Sequence, residues 1–77
     1  MERAQVESSQ IASVGYDPDA KILEIEFKTG KVYQYFEVPA DEYAGLILAE
    51  SIGRQFNQSI KGSYSYQFVA PEEEGAE

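Results

Sequence analysis

The chain has 77 residues, a formal charge of −8 from 14 acidic and 6 basic side chains, and neither cysteine nor histidine. Its length predicts one small domain, and the absent residue types exclude disulfides, thiolate or imidazole metal sites, and catalysis by cysteine or histidine. The negative charge disfavours a nucleic-acid partner, because affinity for phosphates depends mainly on lysine and arginine.

The two ends of the chain differ in composition from its centre. Without the four glutamates at its C-terminal end the chain carries −4; they are Glu72, Glu73, Glu74 and Glu77. We interpret residues 70–77 as an acidic disordered tail and the polar residues 1–8 as a flexible lead-in without regular structure, which leaves a single domain at residues 9–69. No apolar signal core and no apolar run of about 18 residues occurs, so we expect a cytoplasmic protein without membrane association.

The first predicted strand covers residues 11–16 and ends in a turn. Its alternation is weak, since Ile11 lies out of phase and Gly15 permits a bulge. The turn that follows has a physical cause, because Pro18 presets its own φ and the side chain of Asp17 accepts backbone hydrogen bonds. A second strand therefore starts within a few residues of the first.

The clearest period of two lies at residues 22–28 and predicts a strand with an apolar and a charged face. The apolar face carries Leu23, Ile25 and Phe27, and the charged face carries Glu24, Glu26 and Lys28. We expect the charged face to be open to water, which makes its two carboxylates unsuited to acid–base catalysis.

The third strand, in the sequence GKVYQYFEVP, carries Tyr33 and Tyr35, and the hairpin loop before it decides which face they share. A two-residue loop at Thr29-Gly30 puts both rings on the charged face but requires a positive φ at the β-branched Thr29. A three-residue loop with only Gly30 left-handed pairs Ile25 with Tyr33 and turns both rings to the apolar face. We favour this register.

Two interpretations of the tyrosine pair remain open on this register. The rings are either aromatic core, which is the ordinary outcome for cross-strand pairs, or a platform on which a ligand ring stacks. Phe36 lies on the opposite face and is exposed unless another element covers it.

Two short helices are predicted after the third strand. The first begins at Pro39 and runs to about Ser51, with acidic residues in its first turn. Its inward stripe consists of Tyr43, Leu46 and Ile47, widened by Ala44 and Leu48. The second covers residues 54–61, with Phe56 and Ile60 facing inward. Its outward residues are Arg54, Asn57, Gln58 and Lys61.

A last strand is predicted at residues 64–68, after Gly62 ends the second helix. The fold class is therefore α+β, a small antiparallel β-meander of three strands plus a C-terminal strand, with two short helices packed on it.

This pattern resembles the KTSC domain family over about residues 9–69. The resemblance rests on four pieces of sequence in order: GYD at residues 15–17, LEIEF at residues 23–27, YQY at residues 33–35 with VP at residues 38–39, and AESIGRQFNQSIKGSYSY at residues 49–66. The family is called after the C-terminus of some lysyl-tRNA synthetases and also occurs alone in bacterial and phage proteins. For function, the resemblance implies RNA binding, which the position of the domain on a synthetase suggests.

The candidate binding surface combines polar residues of the second helix with nearby rings. Cations and amides can hold phosphates while rings stack bases, although a solvated helix face beside core tyrosines gives the same pattern. The candidate residues are Arg54, Asn57, Lys61, Tyr64, Tyr66, Tyr33, Tyr35 and Phe36.

The sequence predicts no catalytic residue, no cofactor and no metal ligand, because no hydroxyl has an imidazole to activate it and no nucleotide-binding or catalytic motif occurs. We expect a non-catalytic binding module that contacts a protein partner through its acidic surface and Phe36. The alternative is weak binding of RNA or another single-stranded nucleic acid. The chain is expected to be a monomer or a weak homodimer.

Overall fold

The computed structural model describes residues 3–69, which form a five-stranded antiparallel sheet in the order β1-β2-β3-β4-β5. The strands are β1 (Ala4–Gln5), β2 (Ile11–Asp17), β3 (Ile22–Phe27), β4 (Val32–Tyr35) and β5 (Tyr66–Val69). Between β4 and β5 lie α1 (Ala40–Leu48), α2 (Ile52–Gln55) and a π-helical segment (Phe56–Ile60) that continues α2 directly. The predicted α+β class, with an antiparallel meander and two short helices, is confirmed.

The β3–β4 hairpin adopts the three-residue loop. Ile25 pairs with Tyr33 and Leu23 with Tyr35, and Gly30 has a φ of 96°. The loop closes through the N–H of Phe27, which donates to the carbonyl of Lys31 at 2.9 Å. The left-handed position is therefore taken by glycine, which adopts it without the steric cost that Thr29 would have.

Strand β2 contains a bulge, but not at Gly15. The pairing of β2 with β3 shifts register between Ile11 and Ser13, whereas Gly15 lies in regular pairing opposite Glu24. The bulge brings Ile11 back into the buried face, so that Ile11 and Val14 are 0% and 1% exposed. The out-of-phase Ile11 of the sequence is thus explained by an extra residue in the strand.

The β2–β3 turn is organised by Asp17 as predicted. Its Oδ1 accepts hydrogen bonds from the N–H of Asp19 at 3.0 Å and of Ala20 at 3.2 Å. These contacts occupy backbone donors that the strands leave unpaired.

The lead-in contains an element that the sequence analysis did not predict. Ala4 pairs with Val14 and Gln5 with Ser13, so β1 is a short edge strand. Both residues of β1 are exposed, and the pairing is supplied by the edge of β2 rather than by any local alternation. Residues 1–2 and the predicted acidic tail at residues 70–77 lie outside the described residues.

The helical connection differs from its prediction in two ways. The helix α1 ends at Leu48, which is 83% exposed and does not belong to the inward stripe. The chain is extended at Ala49, and the side chain of Ser51 accepts a hydrogen bond from the N–H of Arg54 at 3.3 Å. Ser51 therefore caps a new helix instead of ending the first one.

The last strand begins at Tyr66, two residues later than predicted, since Gly62 with a φ of 83° and the residues after it form a turn. The hydrophobic core lies between the helices and one face of the sheet. Its buried members are Ile11, Val14, Leu23, Ile25, Tyr35, Val38, Leu46, Ile52, Phe56 and Ile60. The predicted inward orientation of Phe56 and Ile60 is confirmed.

The charged face of β3 is not open to water, which corrects the prediction. Glu24 is only 5% exposed and forms an ion pair with Arg3 from the lead-in. The other carboxylate oxygen of Glu24 accepts from the side-chain amide of Gln34 at 2.8 Å. Ser13 donates to Glu26 at 2.7 Å and accepts from Arg3 at 3.0 Å. A polar network therefore covers this face, because a buried carboxylate requires such partners.

Candidate binding groove

A groove of about 270 Å³ lies between the helical layer and the β4–β5 half of the sheet. Its floor and walls are mostly aromatic, with a few polar groups at the rim. The lining residues are Gln10, Phe27, Tyr33, Tyr35, Phe56, Asn57, Lys61, Gly62 and Tyr66.

The sheet and the π-helical segment position the groove residues from opposite sides. Tyr33 and Tyr35 point toward the helices because their register with β3 places them on the apolar face. Phe56 is 2% exposed and turns inward at the start of the π-helical segment. Asn57 follows it on the outer side, and Lys61 comes directly after the segment ends. The groove therefore depends on contacts between parts of the chain that are distant in sequence.

The aromatic rings form one connected cluster. Tyr35 has its ring centroid 5.4 Å from that of Phe56 and 5.5 Å from that of Tyr66. Tyr33 lies 5.6 Å from Tyr66 and 5.4 Å from Phe68. Such edge-to-face and tilted pairs fix the ring orientations and add to the stabilisation from burial. The groove is consequently a preformed surface rather than a set of independent side chains.

Tyr33 and Tyr35 have different environments, although they share one face of β4. Tyr35 is 5% exposed and belongs to the core, whereas Tyr33 is only partly buried and packs against that core from the outside. Burial raises the pKa of Tyr35 to about 12, with smaller contributions from the nearby hydroxyls of Tyr66 and Tyr33. Tyr35 is therefore a neutral phenol at any ordinary pH, and Tyr33 presents the accessible ring.

Of the predicted surface residues, the groove brings together Tyr33, Tyr35, Asn57, Lys61 and Tyr66. It does not include the other three. Arg54 is exposed on the outer side of α2. Phe36 and Tyr64 line a separate cleft of about 360 Å³.

This second cleft explains why Phe36 is not fully exposed. The N–H of Phe36 donates to the carbonyl of Ser65 at 2.9 Å, which holds the chain before β5 against it. Tyr64, in the same cleft, has a pKa raised by burial and, to a lesser extent, by the carboxylate of Glu42. Phe36 is thus partly covered, and the strongly exposed rings lie elsewhere.

The exposed rings are those of β5. Tyr66 is 61% exposed and Phe68 is 51% exposed, and both lie on the helix-facing side of the sheet. Phe68 was predicted in a strand but was not included in the candidate surface. Its position at the end of the last strand was the available signal, because a final strand of a meander is an edge strand with less to cover it.

One lysine lines the groove, and further exposed cations lie on α2 and at the β3–β4 loop. Lys61 lines the groove, Arg54 is exposed on the neighbouring α2, and Lys28 and Lys31 are exposed at the β3–β4 loop beyond Phe27. Within residues 3–69, the ion pairs are those of Arg3 with Glu24 and Glu26. None of these four cations therefore forms an ion pair with another described residue.

A larger and shallower concavity of about 760 Å³ lies where β1 stops short of the end of β2. It borders the stacked rings of Tyr16 and Tyr43, whose centroids are 4.9 Å apart at an interplanar angle of 9°. None of the sequence-predicted surface residues lines it.

In the part of the chain that the structure describes, no cluster of acidic side chains is arranged to hold a metal ion. Over the same residues, no helix has the length and apolar character needed to span a bilayer.

The architecture and the groove define a class: a small α+β domain with a β-meander, one helical layer and an open aromatic groove. Residues 7–64 match the family model of the KTSC domain. A crystal structure of a KTSC domain protein from Yersinia pestis is 41% identical in sequence and superposes with a TM-score of 0.86, covering 90% of this chain and 97% of that one. The chain belongs to the KTSC domain family.

Relatives occur both as small proteins and as parts of a large enzyme. A protein of Stutzerimonas stutzeri (strain A1501) is 46% identical over 79% of this chain and 86% of its own length. A lysine–tRNA ligase of Nostoc punctiforme is 39% identical over 79% of this chain, but the match spans only 11% of the ligase. The family description names a domain and no catalytic activity.

Proposed function

We propose that this domain is a non-catalytic module that binds a protein partner, with the aromatic groove as its binding site. The observation that carries the proposal is the groove itself, in which the accessible rings of Tyr33 and Tyr66 lie over the buried rings of Tyr35 and Phe56. Preformed pockets lined by aromatic rings are the usual anchor sites of protein interfaces, because rigid rings lose little conformational entropy on binding.

The lining also indicates the chemistry of the partner. Apolar or aromatic side chains of the partner pack on Tyr33 and Tyr66, while Asn57 and Lys61 at the rim are available for a carbonyl and a carboxylate. The matching ligand is a peptide segment with an apolar anchor next to an acidic residue. The total charge of −8 supports a protein rather than a polyphosphate as the ligand.

The test is selection of binding peptides from a displayed library, followed by titration of the purified chain. We expect selected peptides to shift the amide signals of Tyr33, Asn57, Lys61 and Tyr66. The variant Lys61→Glu should weaken binding about tenfold, which corresponds to about 1.4 kcal/mol. The matched control Lys21→Glu makes the same charge change in the β2–β3 turn, away from the groove, and should bind normally.

Two results would contradict this function. One is a library that yields no peptide for the wild-type chain. The other is a set of peptides that bind Lys61→Glu and wild type equally.

A second candidate, binding of single-stranded RNA, is favoured by a separate observation. Arg54, Lys61, Lys28 and Lys31 form no ion pair with another described residue, and Lys61 lines the aromatic groove. Cations beside exposed rings are the arrangement used for single strands, and the lysine–tRNA ligase relatives carry a similar segment on an RNA-binding enzyme's chain.

Titration of the domain with a short single-stranded RNA distinguishes this candidate. Binding that falls steeply with salt and is lost in Arg54→Glu would support it, because released counterions dominate phosphate contacts. Binding that is absent at low salt, or insensitive to salt and to Arg54→Glu, would eliminate it.

A further inference from the structure

The open edge of β5 lacks the features that normally prevent strands from pairing with other chains. Among residues 3–69, β5 hydrogen-bonds only to β4, so its other side is an edge of the described sheet. Its sequence, YQFV, has no charge and no proline. The opposite edge, β1, is only two residues long. Short length, charge, proline and bulges are the usual protections of an edge strand, and β5 has none of the last three.

The backbone geometry identifies which groups the edge presents. The N–H of Phe36 donates to the carbonyl of Ser65, and Gln34 pairs with Gln67. Antiparallel ladders alternate, so Ser65 and Gln67 direct their backbone groups toward β4. The N–H and C=O of Tyr66 and Phe68 then point to the open side.

The same two residues carry the exposed rings. Tyr66 and Phe68 are 61% and 51% exposed, and both pack against Tyr33 on the helix side of the sheet. Unpaired backbone groups and uncovered rings therefore coincide at two positions separated by one residue. A strand paired along this edge would hydrogen-bond to the unpaired backbone groups and bury the uncovered rings.

We propose that two copies of the chain associate through their β5 strands, which pair antiparallel and join the two sheets edge to edge. With the two-fold axis at Gln67, Tyr66 of each copy lies opposite Phe68 of the other. This arrangement uses all four outward backbone groups of each strand and creates two aromatic cross-strand pairs.

A second copy fits this edge because the edge is complementary to itself. Tyr66 and Phe68, whose backbone groups point outward, are two residues apart. One two-fold axis therefore pairs the backbone groups of both residues, and each ring lies opposite a ring of the other copy. The strand carries no charge, so the repulsion between two chains of −8 is not concentrated at the contact. On the other face of the joined sheet, the side chains of Gln67 meet and can exchange hydrogen bonds.

The dimer goes beyond the groove function and does not depend on it. Because paired residues share a face, both helical layers lie on the same side of the joined sheet. Tyr66 lines the groove, so Phe68 of the second copy extends it, and the two grooves adjoin. A contact of one strand per copy is small compared with a standard interface of about 1,600 Å², so association is expected to be weak and concentration dependent.

The first experiment uses the wild-type chain. Sedimentation equilibrium over a wide concentration range should show a mass rising from 8.6 kDa to twice that value. Amide hydrogen exchange should show protection of Tyr66 and Phe68 that increases with concentration, while Gln67 is protected throughout by β4. A mass of one chain at every concentration would overturn the proposal. A doubled mass with unchanged exchange at Tyr66 and Phe68 would also overturn it.

The second experiment exchanges the rings for charges. One variant carries Tyr66→Lys with Phe68→Lys, and the other carries Tyr66→Glu with Phe68→Glu. Neither variant should dimerise alone, because like charges face each other across the paired strands. An equal mixture of the two variants should form a heterodimer. Folded variants that dimerise alone, or a mixture that stays monomeric, would contradict the pairing.

Circular dichroism confirms that each variant is folded, and if either is not, the exchange measurement on the wild type decides. Peptide binding is measured in the dilute, monomeric range with Lys61→Glu, so a failure of the groove function is separate from a failure of the dimer.

Discussion

The two halves of the helix-facing side of the sheet are built from similar apolar residues but have opposite exposures. In the β2–β3 half, Ile11, Leu23 and Ile25 are 0% exposed beneath the helices. In the β4–β5 half, Tyr66 and Phe68 are more than half exposed, and only Tyr35, where the two halves meet, is buried among the helix-facing residues of these two strands. Burial therefore follows the position of the helical layer and not the apolar character of the strand.

The size of the helices explains the difference. Helix α1 has nine residues, which span about 14 Å at about 1.5 Å per residue, whereas five strands about 4.8 Å apart extend over about 19 Å. No single helix reaches across the sheet. The uncovered half carries aromatic residues, whose rings pack on each other. The tyrosine rings also carry a polar hydroxyl, which allows them to remain at the surface.

The largest expected effect tests the covered half. Ile25→Ala should lower the free energy of unfolding by about 2–5 kcal/mol, because it leaves a cavity in a fully enclosed site. Phe68→Ala, measured at concentrations at which the chain is monomeric, should change it by at most about 0.5 kcal/mol. Urea denaturation of both variants measures the contrast. Equal losses would mean that the two halves are packed alike.

Alkaline pH tests Tyr35, which lies where the two halves meet. Burial raises its pKa from 10.0 to about 12, so the folded chain holds this proton more tightly than the unfolded chain. The associated stability is complete below pH 10.0 and is lost as the pH rises toward about 12, at up to about 1.4 kcal/mol per pH unit.

Denaturation across this pH range should therefore show a smaller loss in Tyr35→Phe, which has no phenol to ionise, than in the wild type. The ultraviolet absorbance of tyrosinate, compared between the two proteins, identifies the late-titrating group. Identical pH profiles for the two proteins would contradict the burial of the Tyr35 hydroxyl.

A smaller effect is expected for a substitution of Tyr16, which lies in the covered half. Its hydroxyl donates to the carbonyl of Val38 at 2.5 Å, so Tyr16→Phe should cost about 0.5–1.5 kcal/mol. The stacked neighbour provides the control, because the hydroxyl of Tyr43 makes no hydrogen bond to another residue of the described chain. Tyr43→Phe should be close to neutral in the same thermal-denaturation series, and a larger loss there than in Tyr16→Phe would refute this assignment.

The smallest effect compares two helical glycines. A Cβ at Gly45 meets nothing within 4 Å, so Gly45→Ala should raise the free energy of unfolding by about 0.5–1 kcal/mol through helix propensity. At Gly53 a Cβ lies 3.2 Å from the hydroxyl of Ser8, and that contact should remove most of the gain. An equal gain at both positions would show that the lead-in is not held against α2.

Local residues allowed several parts of this fold to be predicted from the sequence. The register of Tyr33 and Tyr35 follows from the steric preference of glycine over threonine at a left-handed position, which is a property of two neighbouring residues. The turn at Asp17 and the inward orientation of Phe56 and Ile60 are equally local. Their causes lie within a few residues of the chain, so no knowledge of the remaining structure was required.

The candidate surface could be predicted only in part. The sequence predicts Asn57 and Lys61 as outward residues of one helix and Tyr33 as a strand residue, but their common groove depends on how the π-helical segment packs on the sheet. Phe68 was missed because its exposure results from the absence of a helix above it. No pattern within YQFV reports on that.

The amino-acid sequence alone determined the class of fold, the hairpin register and the family resemblance, since all three are carried by spacing along the chain. Only the tertiary structure decided that Arg3 covers Glu24, that β1 exists, and that the β4–β5 half remains open. These features join residues far apart in sequence, and their energies depend on burial and on partners that come together only when the chain is folded.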